Sequence, residues 1–163
     1  MSDQDQAGVS DMTSGTRETP RTVDTQGGTR SAVNDLRNIS VVMLIALGLE
    51  FLLGTATNLY VSIPKKDPWS GATHAGLLYG HAALGVLLFL GSFMLVIRAA
   101  RSGIAGTVPR SWGVVIGLAL ATFGGENFVN RGGASWSSLL MAVGFAAAAG
   151  FSVVLLHLAG RAR

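Results

Sequence analysis

Four long apolar runs, joined by short polar connectors, constrain this chain more than any other feature. They cover about residues 39–63, 75–97, 112–129 and 135–160. The first carries one charge, Glu50, and stops at Pro64. The second is free of formal charge until Arg98, and Glu126 and Asn127 interrupt the third late. The fourth has His157 near its end. About 20 apolar residues at ~1.5 Å each cross the ~30 Å hydrocarbon layer of a bilayer. The third run is the weakest, because only 112–125 is cleanly apolar. Short connectors make neighbouring helices antiparallel. The expected fold is all-α: an integral-membrane antiparallel four-helix bundle over residues 36–163.

Composition agrees with that fold. Charged residues make up 13% of the chain and hydrophobic ones 49%, whereas soluble domains hold about 25% charged residues. Cysteine is absent, which excludes disulfides, thiolate nucleophiles and Cys-ligated metal. Residues 1–35 contain no Phe, Trp or Tyr and are dominated by Ser, Thr, Gly, Asp and Gln. Such a segment buries too little apolar area to offset its ordering entropy, so it is read as a disordered tail. It lacks the apolar core of a signal peptide.

The bases cluster beside the apolar runs. Arg30, Arg37, Arg98, Arg101, Arg110, Arg161 and Arg163 fall on one side, and Lys65, Lys66 and Arg131 on the other. The positive-inside bias puts both termini and the 98–111 loop in the cytoplasm, with the chain multi-pass in the cell (inner) membrane. A nucleic-acid surface would interleave Lys and Arg with aromatics on one face, so none is expected. Tyr60, Trp69, Trp112 and Trp136 lie near the predicted boundaries, where interfacial aromatics belong.

The two halves resemble each other at an offset of 69, which matches Gly48 with Gly117 and Asn58 with Asn127. An offset of 59 then matches Gly85 with Gly144 and Gly91 with Gly150. This suggests two repeated helical hairpins. Small-residue spacings such as Gly76-x-x-x-Gly80, Gly113-x-x-x-Gly117 and Ala146-x-x-x-Gly150 permit close helix approach. They fit packing within one chain; a homodimer through the third helix is the alternative.

Ionisable groups inside a bilayer are costly, and each is a candidate for function. Three lie in the spans: Glu50, His81 and Glu126. Counting residues puts Glu50 near the midplane, with His81 and Glu126 together in the outer half. His74, His81, Gly85, Leu88 and Ser92 share one stripe of the second helix; Glu50, Gly54, Thr57, Asn58 and Val61 share a face of the first. The sharpest site expectation is an outward-opening polar cluster of Glu50, Asn58, His81, Glu126 and Asn127. The plainer alternative is that these groups satisfy one another and fix helix register. No nucleophile–base arrangement, metal-ligand spacing or nucleotide motif is present, so an enzyme is not expected.

Two resemblances attach to these residues. The stretch Asn58-Leu59-Tyr60-Val61-Ser62-Ile63-Pro64, with the polar loop and His-bearing helix after it, resembles small uncharacterised actinobacterial membrane proteins. Gly48-Leu49-Glu50-Phe51-Leu52-Leu53-Gly54-Thr55, followed by His81-Ala82-Ala83-Leu84-Gly85, is similar to one four-helix half of haem A synthase. That similarity implies haem as a cofactor, with His81 (or His74) as an axial ligand. The fourth helix departs from that pattern, having no histidine around Leu139-Leu140-Met141.

Three functional expectations follow. The leading one is a membrane protein without catalysis, whose partners are the lipid bilayer and a second copy or another membrane protein. The second is a haem-binding or redox-accessory protein using His81. The third is a small-solute or proton pathway through Glu50, His81 and Glu126.

Overall fold

The computed structural model describes residues 23–162, apart from Ala134. The tail expected over 1–35 therefore lies partly outside the described residues. The described chain forms four helices and no strand: α1 (Val23–Tyr60), α2 (Ala75–Ser102), α3 (Thr107–Asn130) and α4 (Ser135–Arg161). All four are long and apolar enough to cross a membrane.

The helix ends differ from the apolar runs in instructive ways. α1 begins at Val23, so residues 23–35 are helical and do not belong to the expected tail. Val33 and Leu36 extend the buried stripe of Ser40, Met43 and Leu47 toward the N-terminus at helical spacing. Asp35 adds an ion pair to Arg98 at 2.5 Å. α1 stops at Tyr60, three residues earlier than the apolar run; Pro64 disfavours a helical Ile63.

The 98–111 connector shrinks to 103–106, because α2 runs on to Ser102 and α3 starts at Thr107. Gly103 and Gly106 adopt φ of 67° and 78°, a left-handed corner that L side chains resist. Pro109 falls in the first turn of α3, where its missing N–H is not needed. The Thr107 hydroxyl donates to the carbonyl oxygens of Ile104 and Ala99, at 2.8 and 3.2 Å, and locks the corner.

Each helix packs on two others: α1 on α2 and α4, and α3 on α2 and α4. Leu36, Met43, Leu47, Leu88, Leu95, Val114, Leu118, Ala148 and Leu155 fill the interior of this ring. α3 and α4 approach most closely. A Cβ on Gly144 would lie 2.5 Å from the Gly117 oxygen and 2.6 Å from the Ala121 nitrogen. One on Gly124 would lie 2.8 Å from the Met141 nitrogen. Only glycine permits such backbone contact. Of the spacings read from the sequence, Gly117 serves this seam, while Gly76 and Gly150 face open space.

The burial pattern also revises the register of the repeat. At an offset of 69, buried Leu47, Glu50 and Thr57 fall on exposed Ile116, Ala119 and Glu126. At 67, buried Ser40, Leu47, Glu50 and Thr57 fall on Thr107, Val114, Gly117 and Gly124, all buried. A two-residue slip turns a helix by about 200°, so matching glycines alone selected the wrong face. In the revised register Glu50 opposite Gly85 corresponds to Gly117 opposite Gly144.

Candidate functional site

The α1–α2 seam holds the candidate site. Glu50 is 8% exposed, and its Oε1 lies 2.9 Å from His81 Nδ1. The contact is an ion-pair approach and lacks the alignment of a hydrogen bond. The second oxygen, Oε2, is buried with no partner. The His81 side chain keeps 26% exposure, so the pair is reached from the surface through the imidazole.

Two glycines make room for the pair. A Cβ on Gly54 would lie 2.9 Å from His81 Cε1, and one on Gly85 would lie 3.0 Å from Glu50 Oε1. Each polar side chain thus occupies the space that a side chain on the facing helix would need. One turn from Gly54, buried Thr57 donates to its own helix at Leu53 O (2.9 Å) and reaches across to Leu77 O at 3.3 Å. Glu50, Gly54 and Thr57 facing Leu77, His81 and Gly85 form one continuous seam.

The structure does not assemble the rest of the expected cluster. His81 pairs with Glu50 and not with Glu126. Glu126 lies four residues from the end of α3 at Asn130, ~6 Å by rise. Glu126 is exposed there. Asn58 is exposed near the end of α1. Asn127 donates from Nδ2 to its own helix at Phe123 O, 2.9 Å away. Thr57 was placed on the right face by periodicity but not in the cluster; its β-hydroxyl at i+7 from Glu50 was the available signal.

The end expected to open outward is covered. Loop 61–74 is tied across its base, with Ser62 N donating to Thr73 Oγ1 (2.9 Å) and Thr73 N donating to Ser62 O (3.2 Å). Val61, Ile63, Trp69 and Ala75 pack around Ala72, Leu78 and Val129. Trp69 stacks on Tyr79 and donates from Nε1 to Asn130 Oδ1 at 3.2 Å. Trp69 is therefore a packing element of this cap. Trp136, expected near a span boundary, sits in the first turn of α4 with the Arg131 guanidinium 5.6 Å from its ring centre.

The three histidines are dispersed. His74 precedes α2 in a left-handed conformation, His157 is exposed in the last turns of α4, and only His81 lies in the seam. His81 has its ring packed against Gly54 and Nδ1 facing Glu50, and among the described residues no second histidine lies in the seam. Among the described residues no group of three His, Asp or Glu side chains could hold a metal. At the opposite end of α1 and α2, a surface groove of about 280 Å³ is lined by Asp35, Asn38, Ile39, Val42 and Arg98.

Compared with known protein families, curated proteins and solved structures, the chain matches none. The resemblances above therefore rest on their quoted residues alone.

Proposed function

We propose that the chain is a non-enzymatic, multi-pass protein of the cell membrane, an antiparallel four-helix bundle with both termini cytoplasmic. In it the Glu50–His81 pair clasps α1 to α2 and fixes their register. The observation that carries this reading is the outer surface. Val42, Ile45, Leu49, Leu52, Val86, Leu87, Leu90, Ile116, Phe123, Leu139 and Val143 all point away from the interior, each 48–65% exposed. An apolar belt on every helix far exceeds the few hundred Å² that a soluble monomer exposes. Lipid is the solvent that matches it.

Contacts along the seams favour the antiparallel arrangement. Asp35, early in α1, meets Arg98, late in α2, while Thr57 meets Leu77 at the other end. Trp112 and Trp136 are 46% exposed near opposite ends, as interfacial anchors are. The seven arginines flanking the termini and the 103–106 corner favour the cytoplasm for that end. A transport route is disfavoured, because Glu126 points off the body and the cap closes the looped end. Haem is disfavoured by the isolation of His81.

The natural absence of cysteine gives a clean test. Lys66→Cys and Ala105→Cys are expressed singly in cells. Both proteins should stay in the membrane pellet through an alkaline carbonate wash. An impermeant maleimide should label Cys at 66 in intact spheroplasts and Cys at 105 only after permeabilisation. Release by carbonate would contradict membrane integration, and reversed labelling would contradict the orientation.

A further inference from the structure

The two hairpins close the same place in different ways. In α3–α4, Gly117 meets Gly144 backbone to backbone. At the corresponding position of α1–α2, a carboxylate is inserted against Gly85 and balanced by an imidazole. Backbone contact has one state. A carboxylate and an imidazole together can hold a variable number of protons.

Building on the membrane reading, we infer that Glu50–His81 is a proton-binding site whose occupancy sets how tightly α1 packs on α2. With one proton on the pair, imidazolium faces carboxylate and the seam is closed. A second proton, added at the unpartnered Oε2, turns Glu50 into a neutral carboxylic acid. His81 then holds an uncompensated charge in low dielectric, which favours moving its ring toward the surface. Loss of the imidazolium's extra proton leaves carboxylate beside a neutral imidazole, which keeps one N–H for Glu50 but loses the charge attraction, so the seam is weakened. The closed state therefore belongs to the intermediate protonation level. The partly exposed edge of His81 is the proton's way in.

Among the described residues no other charged group from the neighbouring helices faces the pair. Gly85 is the α2 group beside Glu50, and Phe145 of α4 packs at a tilt against the adjacent Phe51. On α4, His157 and Arg161 lie in the last turns; α3 does not pack on α1, and its Arg110 and Glu126 lie near its ends. On α1 and α2, Asp35 and Arg98 pair with each other near the far end.

The test is an infrared titration of the full chain in lipid nanodiscs, following the carboxylic-acid carbonyl band. Acidification of the wild type should raise a band from a buried acid. That band should be lost in Glu50→Gln, kept in Glu126→Gln, and displaced along the pH axis in His81→Gln. A wild-type band that survives in Glu50→Gln would overturn the inference. So would a band whose pH midpoint is the same with and without His81, a comparison that does not need the Glu50 variant to fold. Failure of the membrane reading shows separately, as loss of nanodisc incorporation by the wild type.

Discussion

Gly144→Ala should lower the stability of the protein in mixed micelles by about 3 kcal/mol, the upper end for overpacking a tight site. The added methyl meets a carbonyl oxygen at 2.5 Å and an amide nitrogen at 2.6 Å. Both are backbone atoms of α3, so neither can swing aside as a side chain could. Relief requires the two helix axes to separate, which also opens the Gly124–Met141 contact. Gly144→Leu should prevent α3 and α4 from pairing at all. Gly150→Ala and Gly48→Ala are the controls, since each Cβ points into open space. Both should be neutral or stabilising by a few tenths to ~1 kcal/mol, as better helix formers. Unfolding by SDS in mixed micelles, followed by circular dichroism, reads all four. Equal losses for Gly144→Ala and Gly150→Ala would mean that the α3–α4 seam is not packed as described.

The second large effect is at the clasp. His81→Ala removes the partner of a buried carboxylate and should cost about 2–4 kcal/mol. That range lies between the ~0.6 kcal/mol average for polar contacts between membrane helices and the ~3–5 kcal/mol of breaking a buried ion pair. Partial exposure of His81 keeps it below the upper figure. Most of the loss comes from the charge left behind, so Glu50→Gln in the same background should restore much of it. A double-mutant cycle over His81→Ala and Glu50→Gln should therefore be strongly non-additive. Additive effects would show that Glu50 and His81 stabilise the protein independently.

Much of the fold was legible because the four apolar runs are each long enough to cross a bilayer. Four runs of about 20 apolar residues have few alternatives to four helices. The start of α1 was not legible, because polarity conceals it. Among the described side chains from Gly28 to Leu36 only Val33 and Leu36 are buried, and a composition-based reading assigns such a stretch to the tail. The ends of α2 and α3 were missed for a related reason. Arg98, Arg101 and Arg110 look like a loop, yet long basic side chains continue a helix while holding their charges at the surface.

The site was missed by face and not by these boundaries. Counted from the looped end, Glu126 and His81 do lie at comparable depth, four and six residues from their helix ends, but Glu126 is exposed and His81 pairs with Glu50. Within α1 and α2 the faces were legible. Periodicity placed Glu50, Gly54 and Thr57 together, and His81 with Gly85, because a helical face is set by about 100° per residue wherever the helix begins. Which face met which could not be read, since it depends on helix neighbours. The glycine repeat misled for the same reason: Gly48 and Gly117 match in sequence but face different surroundings.

The central claim is that α1 presents Ile45, Leu49 and Leu52 to lipid while its opposite face, at Met43, Leu47 and Gly54, packs into the protein. Nitroxide scanning of residues 42–54 in bilayers measures this directly, because the chain has no cysteine of its own. Collisional relaxation by oxygen should oscillate with a helical period, peaking at Ile45, Leu49 and Leu52 and falling at Met43, Leu47 and Gly54, with little relaxation by a water-soluble nickel complex at the peaks. High nickel accessibility at Ile45, Leu49 and Leu52, or no periodicity along the scan, would contradict the account.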